Sequence, residues 1–463
     1  MDKTQKEQLF EEYPIKKAIA TLAVPTILSS LVMVLYNLAD TYFVGMMNNA
    51  VENAAVALAG PLLLAFNAVN NLFGVGSSSL MSRSLGKKEY EMVKRSSAFG
   101  FYGALISGVI FSVLCTVFRT PLLGLLGADA QTVEATNAYI NWTVTCGAVP
   151  AILNVVLAYM VRSEGASMHA SIGTMSGCIL NMILDPIFIL PWGLNMGAAG
   201  AGCATFLSNC AACLYFFVLL AKKRNNTFIS LSPRKFTLKK EIVLGVMIVG
   251  IPASIQNLLN VTGMTILNNF TASYGADAIA AMGISQKVNM VPMQIAMGLS
   301  QGIMPLVSYN YASGNVKRMK DSIQFSMKVA LIFLCIVSTC FFFGSTQIIQ
   351  LFIQTPTVVE YGGRFLRAFC LALPFLAVDF MAVGVFQAVG MGKEALLFAI
   401  LRKIALEIPA LFLLNWLMPL YGLAYAQFTA EFILAIVALI VLRNLFRQLN
   451  GWGKNKKTPL ENK

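Results

Sequence analysis

Ser96 to Phe118 reads SSAFGFYGALISGVIFSVLCTVF, a run without a charged residue that lies between Lys94-Arg95 and Arg119. The hydrocarbon core of a bilayer is about 30 Å thick, and about 20 apolar residues in helical conformation cross it. The run is therefore read as one membrane span. Ala135 to Val161, Val329 to Val359 and Ile408 to Ala430 are further uncharged runs of at least that length. Pro186 to Ala221 and Ile242 to Ala276 exceed one crossing and contain a polar or glycine-rich turn. The composition agrees: of 463 residues 57% are apolar and 12% charged, and the mean hydropathy is +0.70, values of a lipid-facing chain rather than a soluble multidomain one. Twelve spans are predicted, at 16-38, 54-80, 96-118, 134-158, 168-190, 198-221, 241-269, 278-306, 322-344, 362-388, 394-416 and 423-445.

A net charge of +13 raises the question of nucleic acid. A nucleic-acid-binding domain clusters its charge on a soluble face, whereas here the basic residues sort by loop, so no nucleic-acid partner is expected. With the N-terminus placed in the cytoplasm, Lys87-Lys88, Lys222-Lys223-Arg224 and Lys317-Arg318 fall inside; only Arg119, Arg364 and Arg367 fall outside, and Lys287 lies within a helix. This is the positive-inside pattern, and it puts both termini in the cytoplasm. Met1 to Tyr13 is hydrophilic and the first apolar stretch continues into Tyr36-Asn37, so no cleaved signal is read. The nine cysteines lie in apolar stretches, which argues against a disulfide framework. Cys210-Ala-Ala-Cys213 has a redox-like spacing but sits mid-helix among small residues, where packing explains it.

An internal repeat of about 225 residues runs through the chain. Pro25 answers Pro252; Gly74 and Gly86 answer Gly302 and Gly314; Pro150, Gly165, Pro186 and Gly197 answer Pro374, Gly390, Pro409 and Gly422. Six helices per repeat is an even number, so both halves enter the membrane from the same side and are related by an axis along its normal. The expected fold is thus all-α, a polytopic membrane protein with twelve transmembrane helices in two pseudo-twofold-related six-helix lobes. Its parts are a cytoplasmic N-terminal segment (1-15), an N-lobe (16-221), a basic linker (222-240), a C-lobe (241-446) and a basic tail (447-463). Two similar halves around a cleft suit alternating access. A channel would show a ring of repeated filter residues, and none is visible. An enzyme would need a nucleophile or metal constellation, which the His, Cys and Ser residues do not supply.

An ionised group inside hydrocarbon is costly, so an intramembrane acid is a functional candidate by default. Asp185 comes with Asn181 one turn earlier on the same helix face, and Pro186 deprives the carbonyl of residue 182 of its usual donor. Hard cations take oxygen ligands. If Asp40 and Thr205 converge there, the first half contains a site for Na+ or H+. The competing reading is structural, with a protonated Asp185 bonded to Asn181 to tie helices together. In the second half Asp379 and Glu431 either line the cleft or pair with basic groups. Glu407 follows Lys403 by four residues, an intrahelical ion pair expected near the cytoplasmic surface. Lys287 is expected to find a carboxylate or to snorkel. The single histidine, His169, has no partners for a metal and is read as a surface residue. The 23 methionines and 31 phenylalanines, with Met290, Met293 and Met297 at helical spacing, weakly favour an adaptable apolar cavity.

Taken together, several motifs resemble the multidrug and toxic compound extrusion (MATE) family over Ile15 to Arg447. They are Pro25 with Asp40-Thr-Tyr-Phe-Val-Gly45, Gly74-Val-Gly76 with Ser82-Arg83-Ser-Leu-Gly86, Arg162-Ser-Glu164-Gly165, Leu184-Asp185-Pro186, Gly250-Ile-Pro252 and Gln301-Gly302-Ile-Met-Pro305. Pro305 with Ser308-Tyr-Asn-Tyr311 looks like the MepA-type branch of bacterial multidrug exporters. The resemblance implies an inner-membrane antiporter driven by Na+ or H+ that expels cationic or aromatic drugs and works without another cofactor. The family's first-half cation site matches at Asp40, Asn181, Asp185 and Thr205, with Asn154 as a further member. Asn260 stands where the NorM-type branch has a glutamate, and Asp379 falls about one helical turn from that branch's tenth-helix acid. The expected substrate cavity comprises Asn37, Gln256, Asn260, Met293 and Asp379. Pro25, which removes an intrahelical hydrogen bond, is the expected hinge. The chain is expected to act as a monomer in lipid. The alternative within the superfamily, a flippase for lipids or lipid-linked oligosaccharides, would line its cleft with several Arg or Lys for phosphates.

Overall fold

The computed structural model describes residues 3–47 and 49–452; Met1, Asp2 and most of the predicted tail, 453–463, lie outside the described residues. A short helix, α1 (Lys3–Glu11), precedes twelve long helical stretches. In the first half these are α2 (Ile15–Gly45), α3 (Ala50–Gly86), α4 (Tyr90–Val117), α5 (Val133–Cys146 continued by Ala148–Ser163), α6 (Ser167–Ile189) and α7 (Gly197–Lys222). In the second half they are α8 (Lys240–Ala272), α9 (Ala276–Ala312), α10 (Val316–Gln350), α11 (Pro356–Val389), α12 (Gly392–Ile400, Leu401–Glu407 and Ile408–Leu417) and α13 (Gly422–Trp452). Among the described residues ten of these are long and apolar enough to cross a membrane, and α5, bent by 49°, makes an eleventh. The chain is a multi-pass membrane protein.

α12 fills the place of the predicted span 394-416 but carries Arg402, Lys403 and Glu407 along its middle, which makes it less apolar than the other spans. The helices also outrun the predicted spans, α2 to Gly45 and α9 from Ala276 to Ala312, because a tilted helix continues into the interface after its apolar stretch has ended. Three stretches have π-helical winding: Asn71–Val75 in α3, Asn141–Cys146 in α5 and Leu401–Glu407 in α12. The last ends two residues before Pro409, whose missing N–H breaks the α-helical ladder. The repeat shows in the backbone: Gly165 and Gly390, an equivalent pair, both end a helix at positive φ, +86° and +83°, where only glycine is free of strain.

The halves pack closely at one end, where α2 and α3 meet α8 and α9. Small residues allow this: a Cβ on Gly302 would lie 2.6 Å from Ala23 Cα, and one on Gly298 3.0 Å from Ile27 Cα. Side-chain hydrogen bonds join the halves directly, one of them between Tyr159 and Gln301. Ser79 Oγ donates to Gln387 O (2.5 Å), Ser254 Oγ to Ala68 O (2.5 Å) and the Arg83 guanidinium to Gly245 O (3.5 Å). Ala68 and Ser254 lie near the middle of α3 and α8, and of these bonds theirs lies farthest from the closed end.

The closed end also holds α1, a helix that the charged composition of Met1 to Tyr13 did not suggest. Lys6 Nζ lies 2.6 Å from Glu164 Oε1, with side-chain exposures of 3% and 4%. Glu164 Oε2 accepts from Thr227 Oγ1 and Phe228 N, each at 2.9 Å. On the other half, Tyr309 OH donates to Glu11 Oε1 (2.6 Å), and the Arg318 guanidinium donates to the carbonyls of Phe10 and Tyr13 (both 2.6 Å). The Phe10 ring stacks on Tyr309 at 4.8 Å. α1 is a strap across both lobes.

Candidate cation and substrate sites

Asp185 and Asn181 are one turn apart on α6, 0% and 2% exposed. With the Asn181 amide turned so that its nitrogen faces the carboxylate, Nδ2 donates to Asp185 Oδ2 at 2.7 Å, and Oδ1 accepts from Thr205 N at 3.1 Å and Thr205 Oγ1 at 3.3 Å. This orientation satisfies both ends of the amide. α2 packs along α6 and brings Asp40, half-buried, within Coulombic reach of Asp185; Tyr36 on α2 and Tyr139 on α5 feel both carboxylates. No hydrogen bond links Asp40 to the Asp185 cluster among the described residues. Two carboxyl groups within Coulombic reach of each other are stabilised by a positive charge between them.

Asn154, expected in the same set, is placed elsewhere. Its Nδ2 donates to Pro150 O (2.7 Å), Ala151 O (3.1 Å) and Asn209 Oδ1 (3.0 Å). Asn209 is four residues after Thr205 on α7, so the two share a face. A polar line therefore runs from Asp185 through Asn181 and Thr205 to Asn209 and Asn154. Asn209, Tyr36 and Tyr139 escaped the sequence reading, although the Thr205 to Asn209 spacing repeats that of Asn181 to Asp185.

The cavity residues are dispersed. Asn37 is exposed and lies seven residues, about two helical turns, after Ser30, which lies against Gly298. Gln256 and Asn260 are half-buried, one turn apart on the open half of α8, and Gln256 Oε1 accepts from Gln387 Nε2 at 3.5 Å. Met293 packs against the core, its sulfur 3.4 Å from Asn289 Nδ2. Asp379 does not line the cleft. It is 1% exposed, inside the second lobe beside Glu431 of α13 and Arg402 of α12, because its face of α11 turns toward those helices.

Of three further expectations the structure corrects two, for Glu407 and His169, and narrows one, for Lys287. Lys403 and Glu407 do pair, at 2.6 Å, but more than ten residues into α12 with side-chain exposures of 12% and 7%, far from a surface. Lys287 is exposed and meets no carboxylate among the described residues, which agrees with the second of the two outcomes expected for it, snorkelling. His169 is half-buried, with Nδ1 3.1 Å from Tyr215 OH and Nε2 2.6 Å from Lys223 Nζ. Among the described residues no group of three or more His, Cys, Asp or Glu is arranged to hold a metal ion.

Comparison with known proteins matches the MatE family at residues 25–187 and again at 252–413, once in each half. The chain is 34% identical over 440 residues to the multidrug export protein MepA of Staphylococcus saprophyticus, covering 94% of this chain and 96% of that protein. It is 33% identical, over the same shares, to the multidrug export protein MepA of Staphylococcus aureus strain NCTC 8325. Among solved structures it is similar to a multidrug resistance MATE family transporter of the MOP superfamily in an outward-facing conformation. The TM-score is 0.87 at 25% identity, over 96% of this chain and 98% of that one.

Proposed function

The chain belongs to the MatE family, and on that footing we propose that it is a multidrug efflux antiporter, exporting cationic or aromatic organic compounds across the inner membrane in exchange for Na+ or H+. The observation that carries drug export is the 33–34% identity, over 94% of the chain, to proteins named for multidrug export. Coupling is supported by the convergence of Asp40 and Asp185 with Asn181 and Thr205. The sorting of Lys and Arg among the loops supports a cytoplasmic placement of both termini. In that orientation α1 and the tight seam between the lobes lie on the cytoplasmic side, and the cleft above Ser254 and Ala68 opens outward.

Alternating access follows if the two ligands prefer different states. An external cation bound between Asp40 and Asp185 favours the state that releases substrate, and the coupling equals the difference in its affinity for the two states. Pro25 is buried within α2 beside the Ala23–Gly302 contact, so a bend there would move the wall of the cation site against the seam. The flippase alternative is not favoured. Arg402 and Lys403 are each paired with a carboxylate inside the C-lobe rather than free to line a phosphate path.

In a host stripped of its own drug pumps, expression of the chain is expected to lower accumulation of ethidium several-fold and to raise resistance to it. Unchanged accumulation of ethidium and of other cationic dyes, with the protein present in the membrane, would count against drug export.

A further inference from the structure

The C-lobe contains a charged cluster that the N-lobe mechanism does not use. Arg402 donates through Nε to Glu431 Oε1 at 2.7 Å, and its Nη2 reaches the same oxygen. Both guanidinium bonds thus go to one carboxylate oxygen. Glu431 Oε2 is left with no donor, as are both oxygens of Asp379. Glu431 is 0% exposed, Asp379 1% and Arg402 6%, and the far side of Arg402 is covered by the Phe380 ring, 5.3 Å from its centroid. The two carboxyl groups are direct neighbours. As two carboxylates they hold only acceptors and cannot bond. One proton placed between them joins two of the three orphaned oxygens in a hydrogen bond.

The charge balance points the same way. Asp379 of α11 faces Arg402 of α12 and Glu431 of α13, while Lys403 and Glu407 of α12 neutralise each other alongside. Among the described residues the helices on its other sides, α3, α9 and α10, contribute no charged group to that neighbourhood. Two buried acids against one available cation leave one uncompensated negative charge, which the low-dielectric interior penalises heavily. A single bound proton removes it.

We propose that Asp379 and Glu431, clamped by Arg402, form a proton-binding site of the C-lobe that holds one proton between two carboxyl groups and is separate from Asp40 and Asp185. Two interacting acids titrate as a pair. Proton binding there stands without the antiport reading; only a link between its release and the transport cycle rests on that reading.

Infrared spectroscopy of the full-length protein tests the site in an Asp40→Asn/Asp185→Asn background, which silences the N-lobe acids and keeps a failure of N-lobe coupling separate. A C=O band of a protonated carboxylic acid is expected at neutral pH. Adding Asp379→Asn is expected to abolish it, since the amide N–H₂ supplies the hydrogen bond and Glu431 stays ionised against Arg402. Adding Glu431→Gln instead is expected to abolish it equally, because Asp379 then ionises against Arg402. Loss of the whole band on removing either member is the signature of sharing. A band absent from the parent, unaffected by Asp379→Asn, or surviving Glu431→Gln would overturn the proposal.

Discussion

Glu164→Ala is expected to destabilise the protein by about 3–5 kcal/mol, the usual cost of stripping one partner from a buried ion pair. The expected readout is a marked fall in melting temperature in detergent. Lys6 would remain with 3% exposure and no carboxylate, although it also donates to Asn226 O at 2.8 Å. Thr227 Oγ1 and Phe228 N would lose their acceptor as well, so one substitution frees α1 and the start of the interlobe linker together. Glu164→Gln keeps an acceptor for Phe228 and is expected to fall between alanine and wild type. Glu91 offers the contrast. It bridges Lys94 and Lys235 at 3.0 and 2.7 Å, but its side chain is 54% exposed, and solvent screening leaves such pairs little to contribute. Glu91→Ala is expected to melt close to wild type. A Glu164→Ala protein that melted with it would refute the strap.

Asp185→Asn and Asp40→Asn are each expected to reduce drug export by more than an order of magnitude, toward the level of a host without the protein, while the amount in the membrane stays at wild-type level. Asparagine keeps the size and polarity of aspartate and removes only the charge. At Asp185 it can still bond Asn181, so the packing of α6 against α7 is preserved. What it cannot do is bind a cation differently in the two states, and without that difference the gradient has no hold on the equilibrium. Asn154→Ala breaks the bond to Asn209 but leaves both carboxylates, and it is expected to weaken export far less. Resistance assays with expression measured in parallel decide the point; full resistance in both aspartate variants would remove the cation site from the mechanism.

The fold was largely legible in the sequence, because hydropathy reports lipid contact and paired Gly and Pro positions report the repeat. What escaped it has a physical cause in each case. α1 reads as a hydrophilic segment, yet Leu9 and Phe10, its two large apolar residues after Met1, are 0% and 1% exposed and dock it on the lobes. α12 hides three charges among apolar residues because their partners are supplied within the lobe. In the N-lobe, Asn181 and Asp185 could be paired from one helix by their spacing alone. Asn209 and Tyr139 could not be joined to them, since the rotation of α7 and α5 about their axes is not written in local periodicity. The same limit left Asp379 between the cleft and a basic partner in the sequence reading. Its true neighbours come from two other helices, and nothing near it in the chain announces Arg402.

Cation-coupled export with its coupling site at Asp40 and Asp185 is tested by dye efflux from vesicles loaded with the purified protein, with sodium and proton gradients imposed one at a time. Wild type is expected to drive uphill dye movement on at least one of the two gradients, and Asp40→Asn on neither. Dye movement in the wild type that is indifferent to both gradients, or gradient-driven movement that persists in Asp40→Asn, would contradict it.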